Sequence, residues 1–137
     1  MSSGAVTLAD ITSADWSLKL GSIGDVVQGL ADVEQCIAII LTTPKGSDPL
    51  RPTFGTDLWR FVDNPIGFAI PAVVREVTGS ISMWEPRITL QSVSVTPANN
   101  LSSQAGAHLN VSISWKLKLV NSPSAPQVTT VSISGGV

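Results

Sequence analysis

The feature that most constrains this chain is a strict alternation running from Leu109 to Leu119. Leu109, Val111, Ile113, Trp115, Leu117 and Leu119 fall on one side, and Asn110, Ser112, Ser114, Lys116 and Lys118 on the other. Side chains of a strand alternate faces with period two, so this pattern specifies a strand with one dry and one wet face. Upstream, Ile88 and Leu90 alternate with Thr89 and Gln91. Val93 and Val95 then continue one residue out of phase, which predicts a bulge near Gln91-Ser92. Pro97 to Gly106 reads as a polar turn, and Val128 to Ser134 forms a last strand before Gly135-Gly136-Val137.

The dry face of such a sheet needs a covering layer, and the first part of the chain supplies helices for it. Val26, Leu30, Val33, Ile37, Ile40 and Leu41 recur at intervals of three and four, the mark of one buried helical face. Ser22 or Asp25 is positioned to cap that helix, and Pro44 with Gly46 ends it. The stretch from Pro44 to Gly55 holds three prolines and two glycines and reads as an extended crossing. A short helix is predicted next, opened by Thr56 or Asp57, with Leu58, Phe61 and Val62 on one face and Asn64-Pro65 closing it. A third helix is predicted from about Ile70 to Trp84, with Pro71 in its first turn and Pro86 as its stop. Near the N-terminus, Trp16, Leu18 and Leu20 alternate with Ser17 and Lys19 as a short strand. The expected fold is therefore α+β: a single compact domain with about three helices on one face of an antiparallel sheet. Residues 1–24 form an N-terminal segment, 25–120 a core, and 121–137 a C-terminal strand segment.

Composition narrows the function. Among 137 residues only 13% are charged while 43% are hydrophobic, which excludes a disordered chain and implies that other protein covers part of the surface. A chain of this length buries roughly 68–70% of its unfolded surface and needs no metal or disulfide for a core. The net charge of −2, with eight Lys and Arg, gives no dense basic stripe for nucleic acid. The single cysteine, Cys36, excludes an internal disulfide framework and fits a reducing compartment. Met1-Ser2-Ser3-Gly4 begins no secretory signal, and the longest aliphatic run, Ile37 to Leu41, is too short to cross a bilayer.

Chemistry finds little purchase. Cys36 lies where a small apolar residue would serve equally, and one histidine, His108, heads a strand, so a Cys–His nucleophile is disfavoured. No clustered ligands point to a metal, no glycine pattern points to a nucleotide cofactor, and no G-x-S-x-G context surrounds a serine. Asn110-Val111-Ser112 matches a glycosylation sequon without a secretion signal to give it meaning. Glutamates occur at Glu34, Glu76 and Glu85, too few and too scattered for the paired carboxylates of a glycosidase. Glu34 and Glu76 read as solvated helix positions. Glu85 and Arg87 flank Pro86, and at a separation of two in extended chain they point to the same side, so the arginine holds the carboxylate ionised. No catalytic residue, metal or cofactor is expected.

Two segments are too specific to be composition: Arg51-Pro52-Thr53-Phe54-Gly55-Thr56-Asp57-Leu58-Trp59 after the first helix, and Trp84-Glu85-Pro86-Arg87-Ile88 at the end of the third. In this order and spacing they resemble the baseplate wedge, or sheath-initiator, family of contractile injection systems, found in contractile-tailed phages, phage-tail-like bacteriocins and type VI secretion systems. The resemblance covers roughly Asp25 to Leu119. The chain departs from the family pattern at Asp32-Val33-Glu34-Gln35, where relatives often place a basic residue, and at Asp63-Asn64-Pro65, where they carry Glu-Pro.

The resemblance implies a non-enzymatic part of a virion tail baseplate, assembled in the host cytoplasm and seated in the wedge beside the tail tube. It implies other wedge proteins, through their helical core bundle, and the tail sheath protein as partners, with tube or hub as further neighbours, and neither nucleic acid nor membrane. Glu85, Pro86, Arg87, Arg51 and Trp84 are the expected partner-binding residues. The last strand carries no charge from Gln127 onward, and an exposed edge is normally blunted by Lys, Pro or a bulge. It is an inner strand, a disordered segment, or a strand that pairs with another subunit, and the resemblance favours the last, with Val128, Thr129, Thr130, Val131, Ser132 and Ile133 pairing with the sheath. A tail-tip murein hydrolase, or the equivalent subunit of a type VI system, are the alternatives. Some relatives carry a lysozyme label, which the glutamates here do not support.

Overall fold

The computed structural model describes residues 7–97, 108–118 and 125–134. Its contacts divide the chain into two units, Met1–Ala38 and Ile39–Val137, with the division inside the first helix. In the first unit, β1 (Trp16–Leu18) and β2 (Val26–Gln28) pair antiparallel, with Trp16 opposite Gln28 and Leu18 opposite Val26. Gly21 and Gly24, both at positive φ, carry the chain around between them. α1 (Leu30–Thr42) then begins four residues later than its apolar spacing implies. Val26 and Val27 are β-branched and extend, and Gly29 at φ +63° separates strand from helix. Two glutamines tie this unit. Gln28 Oε1 accepts from the amides of Thr12 (3.0 Å) and Ser13 (3.1 Å). Gln35 Oε1 accepts from the Leu20 amide at 3.0 Å while its Nε2 donates to Leu18 O at 2.8 Å.

In the second unit, β3 (Ile88–Pro97), β4 (His108–Leu117) and β5 (Gln127–Ser134) form an antiparallel sheet in the order β3-β4-β5. The alternating segment is the central strand, and Leu109, Val111, Ile113 and Trp115 on its dry face are all buried. Leu119 and most of the Pro97–Gly106 turn lie outside the described residues, as does Gly135-Gly136-Val137. The predicted bulge is present, between Leu90 and Ser92. The opposite face carries cross-strand rows of small polar residues: Ser94, Ser112 and Thr130 in one, Thr96, Asn110 and Ser132 in the next. Ser132 Oγ donates to Asn110 Oδ1 at 2.7 Å.

α2 (Ile66–Trp84) packs on β3 and buries Ala69, Val73, Val77, Ser80 and Ile81. It is long and apolar enough to span a membrane by length and composition, but this buried stripe faces the core of its own unit. Ile66, Phe68 and Met83 remain exposed.

Two expectations are corrected. Among the described residues there are two α-helices, not three, because Leu58–Arg60 makes a single 3-10 turn. Pro65 takes the N-cap position of α2 instead of closing a helix before it. Pro71 accordingly sits inside α2 and not in its first turn. The second correction is the number of sheets: the described residues hold two antiparallel sheets, because residues 26–28 pair as strand. The fold class is α+β.

Candidate functional site

The segment between α1 and the 3-10 turn is tied by its own short-range chemistry. Asp48 accepts from the Leu50 amide (3.0 Å) and from Arg51 Nε (3.0 Å), forming the turn that starts the Arg-Pro motif. The Leu50 amide first, and the Arg51 side chain after it, hold the Asp48 carboxyl below its ordinary range. The Arg51 guanidinium lies 4.3 Å from the centroid of the Phe54 ring, a cation–π contact. Phe54 in turn meets the Trp84 ring edge-on at 5.2 Å. Gly55 is forced by geometry. At φ +100°, a Cβ there would stand 2.1 Å from the Thr43 carbonyl oxygen.

This loop is clasped onto α2 at three successive turns. Glu76 pairs with Lys45 and accepts from the Asp57 amide at 3.2 Å. Ser80 Oγ donates to Gly55 O at 3.0 Å, and Trp84 Nε1 donates to Thr53 O at 3.2 Å. Residues four apart share a helix face, so 76, 80 and 84 form one line that reads the loop backwards. Beside this line lies a cavity of about 360 Å³ lined by Pro52, Thr53, Gly79, Met83 and Trp84, among others.

α2 stops where Pro86 requires it, with Glu85 extended at φ −125°, ψ 76°. Arg87 grips Glu85 with two parallel bonds, Nε to Oε1 at 2.7 Å and Nη2 to Oε2 at 2.8 Å. The Glu85 side chain is 3% exposed and that of Arg87 30%. β3 then starts, with the Lys118 amide donating to Arg87 O at 2.8 Å. The fork is thus closed within the chain, leaving Pro86 and part of Arg87 to face outward.

The structure therefore brings the two sequence motifs together through Arg51, Phe54 and Trp84. The second candidate surface, β5, lies two strands away at the opposite edge of the sheet. Thr129, Val131 and Ile133 turn toward the core side, while Val128, Thr130 and Ser132 are exposed. Sequence reasoning missed Asp48, Ser80 and the clasping role of Glu76, which it read as solvated. The four-residue spacing to Trp84 was the available signal. Cys36 and His108 belong to different units, and no group of three or more metal-ligating side chains occurs among the described residues.

A loop closed by an Arg-Pro-x-Phe-Gly turn, clasped to a helix that ends in an ion-paired Glu-Pro-Arg corner on a three-stranded sheet, defines a small α+β unit built around two linked motifs. The family profile "Baseplate wedge protein gp25" matches residues 27–122, and the chain belongs to that family. It is 34% identical over 70 residues to baseplate wedge protein gp25 of Enterobacteria phage T4, and 37% identical over 76 residues to baseplate protein W of Escherichia phage P2. Those matches take in 50% and 53% of this chain and span 53% and 64% of the two relatives. Among solved structures, a chain of the pyocin R2 post-contraction baseplate is similar at TM-score 0.58 and 34% identity, over 75% of this chain and 98% of that one. A candidate tail lysozyme from Geobacter sulfurreducens is similar at TM-score 0.64 and 26% identity, over 79% and 94%. A chain of the anti-feeding prophage baseplate shares the fold at TM-score 0.60 and 19% identity, over 80% and 85%.

Proposed function

We propose that this chain is a non-enzymatic structural component of a contractile-tail baseplate, which docks into the wedge beside the tail tube and starts sheath assembly. The observation that carries the reading is the family match over residues 27–122, together with the Phe54–Trp84 ring contact that joins the Arg51–Gly55 and Trp84–Arg87 motifs. Wedge proteins dock on the outward part of Arg87, on Pro86, on Arg51 and on the Trp84 edge. Glu85 acts through Arg87 by fixing the guanidinium plane. The sheath protein pairs with Val128 to Ile133 along β5. β5 is an edge strand without charge, proline or bulge, whereas β3, the other edge, carries the bulge and ends in Pro97. The chain is assembled in the host cytoplasm and resides in the virion tail baseplate.

A murein-hydrolase reading, prompted by the Geobacter relative, gains no support from Glu85 or Glu76. Glu85 spends both oxygens on Arg87, and Glu76 is held by Lys45 and the Asp57 amide. The test is co-purification of the tagged chain with co-expressed wedge proteins. Glu85→Gln with Arg87→Gln removes both charges while leaving hydrogen-bonding groups of similar size. Wild type is expected to bring down the wedge proteins and the double variant to lose them while folded. Equal capture by both would reduce the corner to internal bracing.

A further inference from the structure

A cavity of about 240 Å³ lies beside β5, an edge strand of the three-stranded sheet among the described residues, where the Leu58–Arg60 turn approaches it. Leu41, Leu58, Trp59 and Ile133 wall it, with Pro44 and Ser132 among its other lining residues, and none of the lining residues carries a charge. Leu41 and Leu58 are buried, whereas Trp59 stands 55% exposed. Thr42 and Thr56 supply a polar part of the lining, and the exposed indole of Trp59 leaves apolar area that a further side chain would remove from water.

Strand geometry says what fills it. Paired residues of neighbouring strands point to the same face, and neighbours lie about 4.7–4.9 Å apart. Ile133 faces the same side as the buried Val131. The residue of an added strand that pairs with Ile133 therefore projects toward this cavity, and the residues on either side of it turn to the face carrying Thr130 and Ser132. We infer that the cavity is an anchor pocket for one large apolar side chain of the incoming strand, at the position paired with Ile133, with small polar residues flanking it. The inference rests on the reading of β5 as a pairing edge and adds its register. A slip of one residue would swing the anchor onto the polar face. A second antiparallel copy of β5 meets this requirement in one register only, Ile133 against itself, and because β5 ends at Ser134 that register overlaps residues 132–134 alone, whereas longer overlaps offer Gln127, Thr129 or Val131 there.

The test uses the full chain and the sheath subunit of the same tail, reading affinity and amide hydrogen exchange across residues 127–134. Trp59→Glu places a charge at the rim, and Thr42→Glu does so from the end of α1 in case the first variant fails to fold. Trp59→Phe keeps an aromatic wall. With the wild type, β5 amides should gain protection on binding. Trp59→Glu or Thr42→Glu should weaken affinity at least about tenfold, the worth of one buried aliphatic side chain, while Trp59→Phe stays near wild type. Protection with undiminished affinity in the charged variants overturns the pocket and leaves strand pairing standing. Binding without protection, or no binding, sinks the strand-pairing reading and the pocket with it. A dimer of the chain alone that protects the same amides assigns the edge to a second copy and also overturns the inference.

Discussion

Gly55 shows how one residue carries a motif. Its φ of +100° and the 2.1 Å approach to Thr43 O leave no room for a side chain. Gly55→Ala should therefore cost roughly 2–4 kcal/mol, combining backbone strain with overpacking. Urea denaturation with an unchanged midpoint would show that the loop simply moves aside. At the Glu85–Arg87 corner, Arg87→Met leaves a buried carboxylate alone and should cost roughly 2–4 kcal/mol, held below a fully buried pair by the partial exposure of Arg87. Glu85→Met with Arg87→Met should recover most of that loss, and no recovery would mean that the ions themselves stabilise the corner. Asp48 supplies a pH prediction. Its folded pKa lies below the ordinary 3.8, so its contribution is present above that value and is lost as pH falls through the lower one. The Leu50 amide resonance should titrate with a midpoint under 3.8, and a midpoint at or above it would contradict the turn geometry. The fork was legible in sequence because proline fixes the spacing of its neighbours. The clasp was not, because Glu76 and Ser80 look like ordinary helix residues until the loop they hold is in place.

At the scale of elements, period decided what could be read. β4, the bulge in β3 and the end of α2 at Pro86 follow directly from alternation, phase and proline chemistry. The errors lie where local patterns overlap. Val26 satisfies both a helical stripe and a strand, and Gly29 settled the contest in favour of strand. Pro71 passed for a helix start although α2 begins at Ile66, since nothing before it but Pro65 marks the boundary. Inside the helix a proline removes one backbone bond, here the one that would reach Gly67 O. Pro71→Ala should thus raise the unfolding midpoint, by about 1 kcal/mol or more in stability, without changing the denaturant slope. A fall in midpoint would mean that the proline ring is packed where the structure leaves it exposed.

For the molecule as a whole, low charge, an unblunted edge strand and exposed apolar side chains such as Ile66, Phe68 and Met83 describe a subunit suited to burial in an assembly. Family membership was legible from two short motifs, because their residues are fixed by backbone geometry and by one ion pair. Which surface meets which partner was not, since an edge strand and a paired corner look alike in sequence whether they face solvent or protein. The most direct test is electron microscopy of tails assembled in cells that lack this chain and are complemented in trans. The account predicts no sheathed tails without the chain, full recovery with wild type, and no recovery with Glu85→Gln plus Arg87→Gln despite normal folding and abundance. Sheathed, contractile tails at wild-type frequency without the chain would contradict it.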